Sequence, residues 1–136
     1  MDKVIDTVDS KDVEQIVDSL VQYNEANSDV GNWHQKVFVI RDEHEQVAAG
    51  IIINIHWYWL HIDVLSVQPS YRQTGLGTRL LKEAEDYAKA QGCVGAYLDT
   101  MSFQAPEFYA KHGYEVLAKL EGLPKDMHKI YLFKRF

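Results

Sequence analysis

One segment of the sequence combines an arginine, two glycines and a threonine at a spacing that could hold a phosphate. It reads Arg72-Gln73-Thr74-Gly75-Leu76-Gly77-Thr78. An apolar stretch typical of a β-strand precedes it, and a stretch with leucines and alanines at helical spacing follows. A turn that enters a helix presents unpaired backbone N–H groups and the positive end of the helix dipole to one point. The segment therefore predicts a phosphate-binding turn.

Two common phosphate motifs do not fit this segment. The run from Gly75 to Leu80 lacks the third glycine of a dinucleotide-binding turn, and the sequence has no Gly-Lys-Ser/Thr of a P-loop. A glycine turn that only joins a strand to a helix is the structural alternative. The charged Arg72 and the hydroxyl of Thr78 beside two glycines favour ligand binding instead.

A third pattern fits. Arg72 to Gly77 resembles the Arg/Gln-x-x-Gly-x-Gly/Ala turn of the GNAT superfamily of N-acetyltransferases, and Leu65-Ser66-Val67 with the following Pro69, Tyr71 and Arg72 resembles the strand that leads into it. Ala105 to Glu115 resembles the second signature of the family, Ala-x-x-Phe-Tyr-x-x-x-Gly-Phe/Tyr-x. Because both motifs occur in the family's order, the resemblance covers roughly residues 60–116.

The resemblance implies acetyl coenzyme A as the acyl donor and no metal. The residues implied to bind it are Leu65, Ser66, Val67, Arg72, Gln73, Thr74, Gly75, Leu76, Gly77, Thr78, Ser102 and Phe108. Backbone N–H groups at Leu65 to Val67 are expected to face the thioester carbonyl. Ser102 occupies the position at which many family members have an asparagine that contacts the cofactor. The serine hydroxyl can make such a contact as a hydrogen-bond donor or acceptor.

The implied reaction is direct acetyl transfer to an amine, which needs a proton donor for the leaving thiolate and a base for the amine. Tyr109 falls on the tyrosine of the second signature and is the predicted acid, with Phe108 the more deeply buried neighbour. His61 and Asp63 are the candidate bases. They lie two residues apart in an apolar strand, which predicts that they share a face with Leu65 and Val67. An exposed face or a cross-strand pair is the alternative for either residue.

Bulk properties narrow the class of protein. The chain has 136 residues, the size of one domain, so we expect a single acetyltransferase domain over residues 1–136. No apolar run is long enough for a membrane span. The first residues do not show the basic region followed by an apolar run that is typical of a signal peptide. One cysteine, Cys93, and scattered histidines give neither an internal disulfide nor zinc spacing. A cytoplasmic protein is expected.

The charge is unevenly distributed. The net charge is −6, and residues 1–30, with eight acidic and two basic side chains, account for all of it. This argues against nucleic acid or anionic membrane as a partner. The acidic residues predict either a solvated helix face or a wall that attracts a cationic substrate.

The pattern of apolar residues and glycines predicts ten elements in the order β-α-β-β-β-α-β-α-β-β. They are a strand from Met1 to Val8, a helix capped by Asp9 or Ser10, strands at 36–41, 47–59 and 60–67, a helix at 75–91, a strand at 94–99, a short helix from Ala105 to Gly113, and strands at 114–120 and 129–133. A turn is predicted near Trp57 to Trp59, and a bend or bulge at Gly50. Asn24 to Asn32 is expected to form a loop. The fold class is α+β, a mixed and mostly antiparallel sheet flanked by helices, as in the GNAT fold.

The sequence therefore predicts an N-acetyltransferase that acetylates a primary amine of a small, cationic molecule or of a peptide. A non-catalytic domain that binds acyl coenzyme A as a sensor or interaction module is the alternative, as is an unrelated phosphate-ligand binder. The apolar strand from Ile130 to Phe133 suggests a homodimer.

Overall fold

The computed structural model describes residues 3–29 and 31–136, which form two units. The first ends at Gly31 and contains helix α1 (Ser10–Asn27). The second runs from Asn32 to Phe136 and contains two helices and six strands. No helix in the described residues is long and apolar enough to span a membrane. The single domain over residues 1–136 stays a prediction.

Helix α1 begins as predicted. The Asp9 side chain accepts a hydrogen bond from the Lys11 backbone N–H at 2.8 Å. The helix continues to Asn27 and so includes the first four residues of the predicted loop, because Asn27 and Ser28 donate to the backbone carbonyls of Tyr23 and Asn24.

The strand predicted from Met1 to Val8 is wrong for residues 3–8, which have no regular secondary structure; Met1 and Asp2 lie outside the described residues. A strand needs ladder hydrogen bonds to a second strand, and residues 3–8 form no such ladder in the described part of the chain. Thr7 instead takes part in the start of α1: its hydroxyl donates to Asp12 and accepts from the Asp9 N–H.

The second unit is a six-stranded sheet with the strand order β1-β2-β3-β4-β6-β5. Only β3 and β4 are parallel, so the predicted mixed, mostly antiparallel α+β sheet is confirmed. The elements are β1 (His34–Arg41), β2 (Val47–His56), β3 (Trp59–Val67), α2 (Leu76–Ala90), β4 (Gly95–Met101), α3 (Pro106–Lys111), β5 (Glu115–Glu121) and β6 (His128–Arg135).

The turn between β2 and β3 lies where the sequence predicts it. Trp57 and Tyr58 have φ values of 46° and 65° and form a two-residue hairpin turn without glycine. The bulge expected at Gly50 is wrong, since Gly50 pairs regularly with Val39 and Ser66. In the β2–β3 ladder the irregularity lies farther on, because Ile52 pairs with Val64 whereas Ile53 pairs with Ile62.

This bulge places Asp63 as an extra residue in β3 and changes which side chains share a face. Before it, His61 pairs with Asn54; after it, Leu65 pairs with the buried Ile51. Partners in a ladder lie on the same face, and Ile51 and Asn54 lie on opposite faces of β2. The prediction that His61 and Asp63 share a face with Leu65 and Val67 is therefore wrong.

Strands β3 and β4 diverge soon after they meet. They pair at only three positions, the last being His61 with Tyr97, and from there all of β4 stays paired with β6. In the described residues β3 then has a partner on one side only, β2. The Gln68 N–H donates to the Ala48 carbonyl of β2. Successive N–H groups of a strand point to opposite sides of the strand. The N–H groups of Leu65 and Val67 therefore point away from β2, into the gap between β3 and β4.

Helix α2 covers one face of the sheet. Its buried residues Leu80, Leu81, Ala84 and Ala88 pack into a core with the isoleucines of β2 and with residues of β3, β4 and β6. Strand β6 lies between β4 and β5, and its Ile130 and Leu132 are buried in this core. The apolar strand on which the homodimer was predicted is therefore interior and cannot serve as an exposed dimer edge.

Candidate active site

The predicted phosphate turn joins β3 to α2. A single 3₁₀ turn, Pro69–Tyr71, leads into it, and Gly75 caps α2 with a φ of 85°. Two side chains brace the loop from within: Arg72 Nε donates to the Val67 carbonyl at 3.2 Å, and the Thr74 hydroxyl donates to the Tyr71 carbonyl. The backbone N–H groups in the first turn of α2 have no acceptor within the helix, so they are free to bind an anion.

The two glycines of the turn have different surroundings. A Cβ added to Gly75 would meet nothing within 4 Å, so this glycine borders open space. A Cβ added to Gly77 would lie 3.4 Å from the ring of Phe108. Gly77 thus allows α3 to pack closely on the start of α2, whereas Gly75 supplies the left-handed turn and leaves room for a ligand.

A side-chain contact that the sequence did not predict joins the phosphate turn to α3. The Thr78 hydroxyl and His112 Nε2 lie 3.2 Å apart, and the His112 ring packs on Phe108 at a centroid distance of 4.8 Å. His112 occupies a variable position of the second signature, so only its place in that motif could have pointed to it. The contact places the two predicted motifs side by side.

Ser102 follows β4. Its hydroxyl accepts the His128 backbone N–H at 3.1 Å, and its own N–H donates to the His128 carbonyl at 2.8 Å. The residue therefore ties the end of β4 to the start of β6. Its hydroxyl hydrogen is still available as a donor.

Tyr109 is buried at 8% exposure, while Phe108 is only half-buried, which reverses the order of burial expected for the pair. The short helix α3 turns Tyr109 toward Tyr114 in the core and Phe108 toward Gly77. Burial raises the pKa of Tyr109 to about 12, so its hydroxyl stays protonated at neutral pH. That hydroxyl has no hydrogen-bond partner among the described residues.

Tyr114 is a buried tyrosine in the same core, and its hydroxyl, unlike that of Tyr109, has a hydrogen-bond partner. Its hydroxyl donates to the buried carboxylate of Glu85 at 2.9 Å, and Lys134 Nζ lies 2.8 Å from the other oxygen. Burial and the neighbouring Glu85 raise the pKa of Tyr114. Tyr114 is therefore committed to a structural network and Tyr109 is not.

His61 and Asp63 do meet, on the sheet face opposite α2. His61 Nδ1 lies 2.5 Å from one carboxylate oxygen of Asp63, and the other oxygen accepts from Asn54 Nδ2 of β2. Asn54 was not among the predicted site residues. The signal was present, because Asn54 is the one polar residue among the isoleucines at positions 51–55.

Tyr97 of β4 completes this polar face. Its ring lies 4.7 Å from the His61 ring between centroids, and its hydroxyl lies 3.0 Å from His56 Nε2. Burial raises the pKa of Tyr97, with a further contribution from the charge of Asp63. In the described part of the chain no three His, Cys, Asp or Glu side chains group as a metal site.

These features meet where β3 and β4 separate. On one side lies the anion-binding turn with α3 packed against it, on the other the polar face around His61, and between them the free N–H edge of β3. Such an arrangement can hold a phosphate, direct backbone donors at a developing negative charge, and supply a proton donor and a proton acceptor.

Comparisons with known proteins identify the family of the chain. The model of the acetyltransferase (GNAT) family matches residues 7–114. Over 93 residues, 68% of each protein, the chain is 38% identical to blasticidin-S acetyltransferase of Streptomyces morookaense. It is similar to the crystal structure of an acetyltransferase from Bacillus cereus, with 36% identity, 98% coverage of each chain and a TM-score of 0.90. It is also similar to the structure of a Bacillus anthracis acetyltransferase in complex with acetyl coenzyme A. That match has 28% identity, covers 84% of this chain and 68% of the other, and has a TM-score of 0.67. The chain belongs to the GNAT acetyltransferase family.

Proposed function

We propose that the chain transfers an acetyl group from acetyl coenzyme A directly to a primary amine of a small cationic molecule or a peptide. The observation that carries the proposal is the separation of β3 and β4 after His61 and Tyr97. The glycine turn before α2 lies at one end of this gap, and the Tyr109 hydroxyl of α3 has no hydrogen-bond partner in the described residues. Acetyl coenzyme A, which GNAT acetyltransferases use, supplies the acetyl thioester when it is bound.

The donor side fits the cofactor in charge and in shape. Gly75 borders open space, and the first turn of α2 offers N–H donors for the pyrophosphate, with Arg72 as the neighbouring cation. Arg72 also holds the Val67 carbonyl, which keeps the end of β3 in place. The residues from Arg72 to Thr78 would hold the pyrophosphate, and Ser102 and Phe108 would flank the rest of the cofactor.

The free edge of β3 provides donors for the reacting carbonyl. The N–H groups of Leu65 and Val67 point into the gap, and they are fixed in the sheet before any ligand binds. Preorganised donors of this kind stabilise the negative charge that develops on the carbonyl oxygen. Tyr109, protonated at neutral pH, serves as the acid that donates to the departing sulfur.

The acceptor must lose a proton before it attacks. An ordinary alkyl ammonium has a pKa of about 10.4, so holding it neutral at pH 7 costs roughly 4–5 kcal/mol. The pair His61 and Asp63 supplies the base, because it joins an imidazole to a carboxylate on the strand that leaves β4 at this point. Amine deprotonation by this pair and proton donation by Tyr109 then take place on different sides of β3.

The preference for a cation rests on charge. The chain has a net charge of −6, and a negatively charged protein favours the approach of positively charged acceptors at low ionic strength. The similarity to an acetyltransferase named for blasticidin-S supports a small-molecule acceptor. A peptide acceptor, a homodimer and a cytoplasmic location stay predictions.

A thiol-release screen tests the proposal. Acetyl coenzyme A is offered with blasticidin-S, polyamines, aminoglycosides, amino acids and peptide N-termini, each cationic amine beside a neutral amine of similar size. We expect thiol release with a cationic amine, and a rate that falls when salt is added. Coenzyme A binding without thiol release on any amine would favour the acyl coenzyme A sensor, and absence of binding would favour an unrelated phosphate ligand.

A further inference from the structure

Both carboxylate oxygens of Asp63 have hydrogen-bond partners. One oxygen faces His61 Nδ1 at 2.5 Å and the other accepts from Asn54 Nδ2. An ionised carboxylate can only accept hydrogen bonds, so the nitrogen that faces it must carry a hydrogen. The pairing with Asp63 therefore selects the His61 tautomer with the proton on Nδ1 and the lone pair on Nε2.

We infer that Asn54 and Asp63 are positioning residues that hold His61 in the tautomer whose Nε2 accepts the proton of the acceptor amine. The inference rests on the proposed amine acetylation and deepens it, because it chooses His61 over Asp63 as the base. Asn54 fixes the carboxylate of Asp63 from β2, and Asp63 fixes the imidazole from within β3. A hydrogen-bonded partner behind an imidazole has this effect in other catalytic sites.

The surroundings of Asn54 indicate a role other than stability. Its amide oxygen Oδ1 is buried and has no hydrogen-bond partner in the described part of the chain. A buried polar atom without a partner is destabilising, whereas a β-branched aliphatic side chain suits a half-buried position in a strand. The hydrogen bond to Asp63 is what the asparagine provides and an aliphatic residue would not.

The charged and titratable groups around His61 can be named. Asp63 lies on its own strand, His56 and the neutral Asn54 on β2, and Tyr97 on β4. Farther along this face, Asp99 and Lys129 form an ion pair at 3.6 Å. Asp63 is therefore the one carboxylate in contact with His61 in the described residues, and changes at Asn54 reach His61 through it.

Nitrogen-15 NMR of the histidine rings tests the inference without any substrate. The chain has six histidines, and a His61→Gln variant assigns the signal. In the intact protein, at a pH high enough for the ring to be neutral, we expect the His61 proton on Nδ1. In Asp63→Asn the new amide can donate to Nδ1, so the proton should move to Nε2. In Asn54→Val, where Asp63 is free to rotate, we expect a mixture of the two tautomers.

Kinetics supply the second readout. Asn54→Val should lower kcat/KM about tenfold, as loss of an outer hydrogen-bond partner commonly does, without loss of thermal stability. Asn54→Asp adds a carboxylate beside Asp63, favours the protonated imidazole, and should move the acidic limb of kcat/KM to higher pH. Gln35→Val is the matched control, because Gln35 pairs with Asn54 from β1 but lies outside the hydrogen-bonded group.

A double substitution separates positioning from packing. If Asn54 acts only through Asp63, then Asn54→Val should cost little further activity once Asp63→Asn is present. A wild-type His61 with its proton on Nε2 would overturn the inference. An unchanged tautomer and acidic limb in both Asn54 variants would overturn it too. A protein that acetylates no amine but shows the expected tautomers would refute the proposed function alone, since the ring spectra do not depend on turnover.

Discussion

The proposed donor side and the proposed acceptor side of this site are built in different ways. The donor side is one continuous segment, from Val67 to Thr78, with the second motif on α3 packed against it through Gly77 and Phe108. The acceptor side is assembled from three strands: Asn54 on β2, His61 and Asp63 on β3, and Tyr97 on β4. A continuous segment preserves its geometry locally, whereas an assembled face depends on strand register.

From this difference we infer that the proposed acceptor side can vary while the proposed donor side is kept. Replacing a residue on the polar face leaves the turn before α2 untouched, because the two sides share only β3. The bulge at Asp63 is the point where they meet, since it turns His61 to one face and Leu65 to the other. Substitutions on one side should therefore leave the function of the other side unchanged.

The largest effect should come from Tyr109→Phe. Loss of a general acid commonly lowers the rate by 10²–10⁴, and we expect a fall in kcat of at least 10². Coenzyme A affinity by calorimetry should change less than twofold, because the phosphate turn is untouched. The free energy of unfolding should stay within about 0.5 kcal/mol, since the removed hydroxyl has no partner in the described residues.

Tyr114→Phe is the matched control for this substitution. It removes a hydroxyl that bonds to the buried Glu85, so it should destabilise the fold by about 1–3 kcal/mol and leave kcat nearly unchanged. If the kinetic effects of the two variants were exchanged, Tyr109 would be a packing residue and the assignment of the acid would fail.

The sequence predicted the position of the turn between β3 and α2 better than the arrangement of the polar face around His61, for a physical reason. Gly75 and Arg72 are close in the chain, so their motif specifies the turn without reference to the rest of the fold. The bulge in β3 depends on the register of β2 against β3, which no local pattern encodes. His61 and Asp63 were found as a polar pair, but their face was wrong because of that one extra residue.

Two other differences have the same origin. The Phe-Tyr pair of the second motif indicated one core residue and one catalytic residue, but burial depends on what α3 packs against, and Gly77 draws in Phe108. The strand from Ile130 to Phe133 was predicted as part of a closing pair, which is confirmed, yet its place between β4 and β5 follows from tertiary pairing that the sequence pattern does not contain.

Alkaline unfolding should reveal the burial of the Tyr109 hydroxyl by a smaller effect. Burial raises the pKa of Tyr109 from 10 to about 12, so the folded state binds a proton that the unfolded state has lost. Folding stability is therefore retained below pH 10 and lost as the pH rises from 10 to about 12, by about 2–3 kcal/mol. Tyr109→Phe should lose less stability than the wild type between pH 9 and pH 11.5 in urea unfolding. An equally steep decline in the variant would show that this hydroxyl is not buried.

The smallest effects should come from substitutions of the two glycines. Because Gly75 and Gly77 both lie on the donor side, their variants compare two positions of the same turn. Gly75→Ala strains a residue at a φ of 85° and places a methyl group in the open space of the turn, so coenzyme A should bind about tenfold more weakly. Gly77→Ala instead presses on Phe108 beside Tyr109, so kcat should fall a few-fold while coenzyme A affinity changes less than in Gly75→Ala.

The KM for the amine decides whether the two sides are independent. Both glycines lie on the donor side, so neither variant should change this KM or the order of preference among amines at saturating acetyl coenzyme A. A shift in amine preference in Gly75→Ala would show that strain at the turn passes along β3 to the face that carries His61. In that case the bulge at Asp63 would transmit changes between the two sides, and substitutions at Asn54 would in turn alter the affinity for coenzyme A.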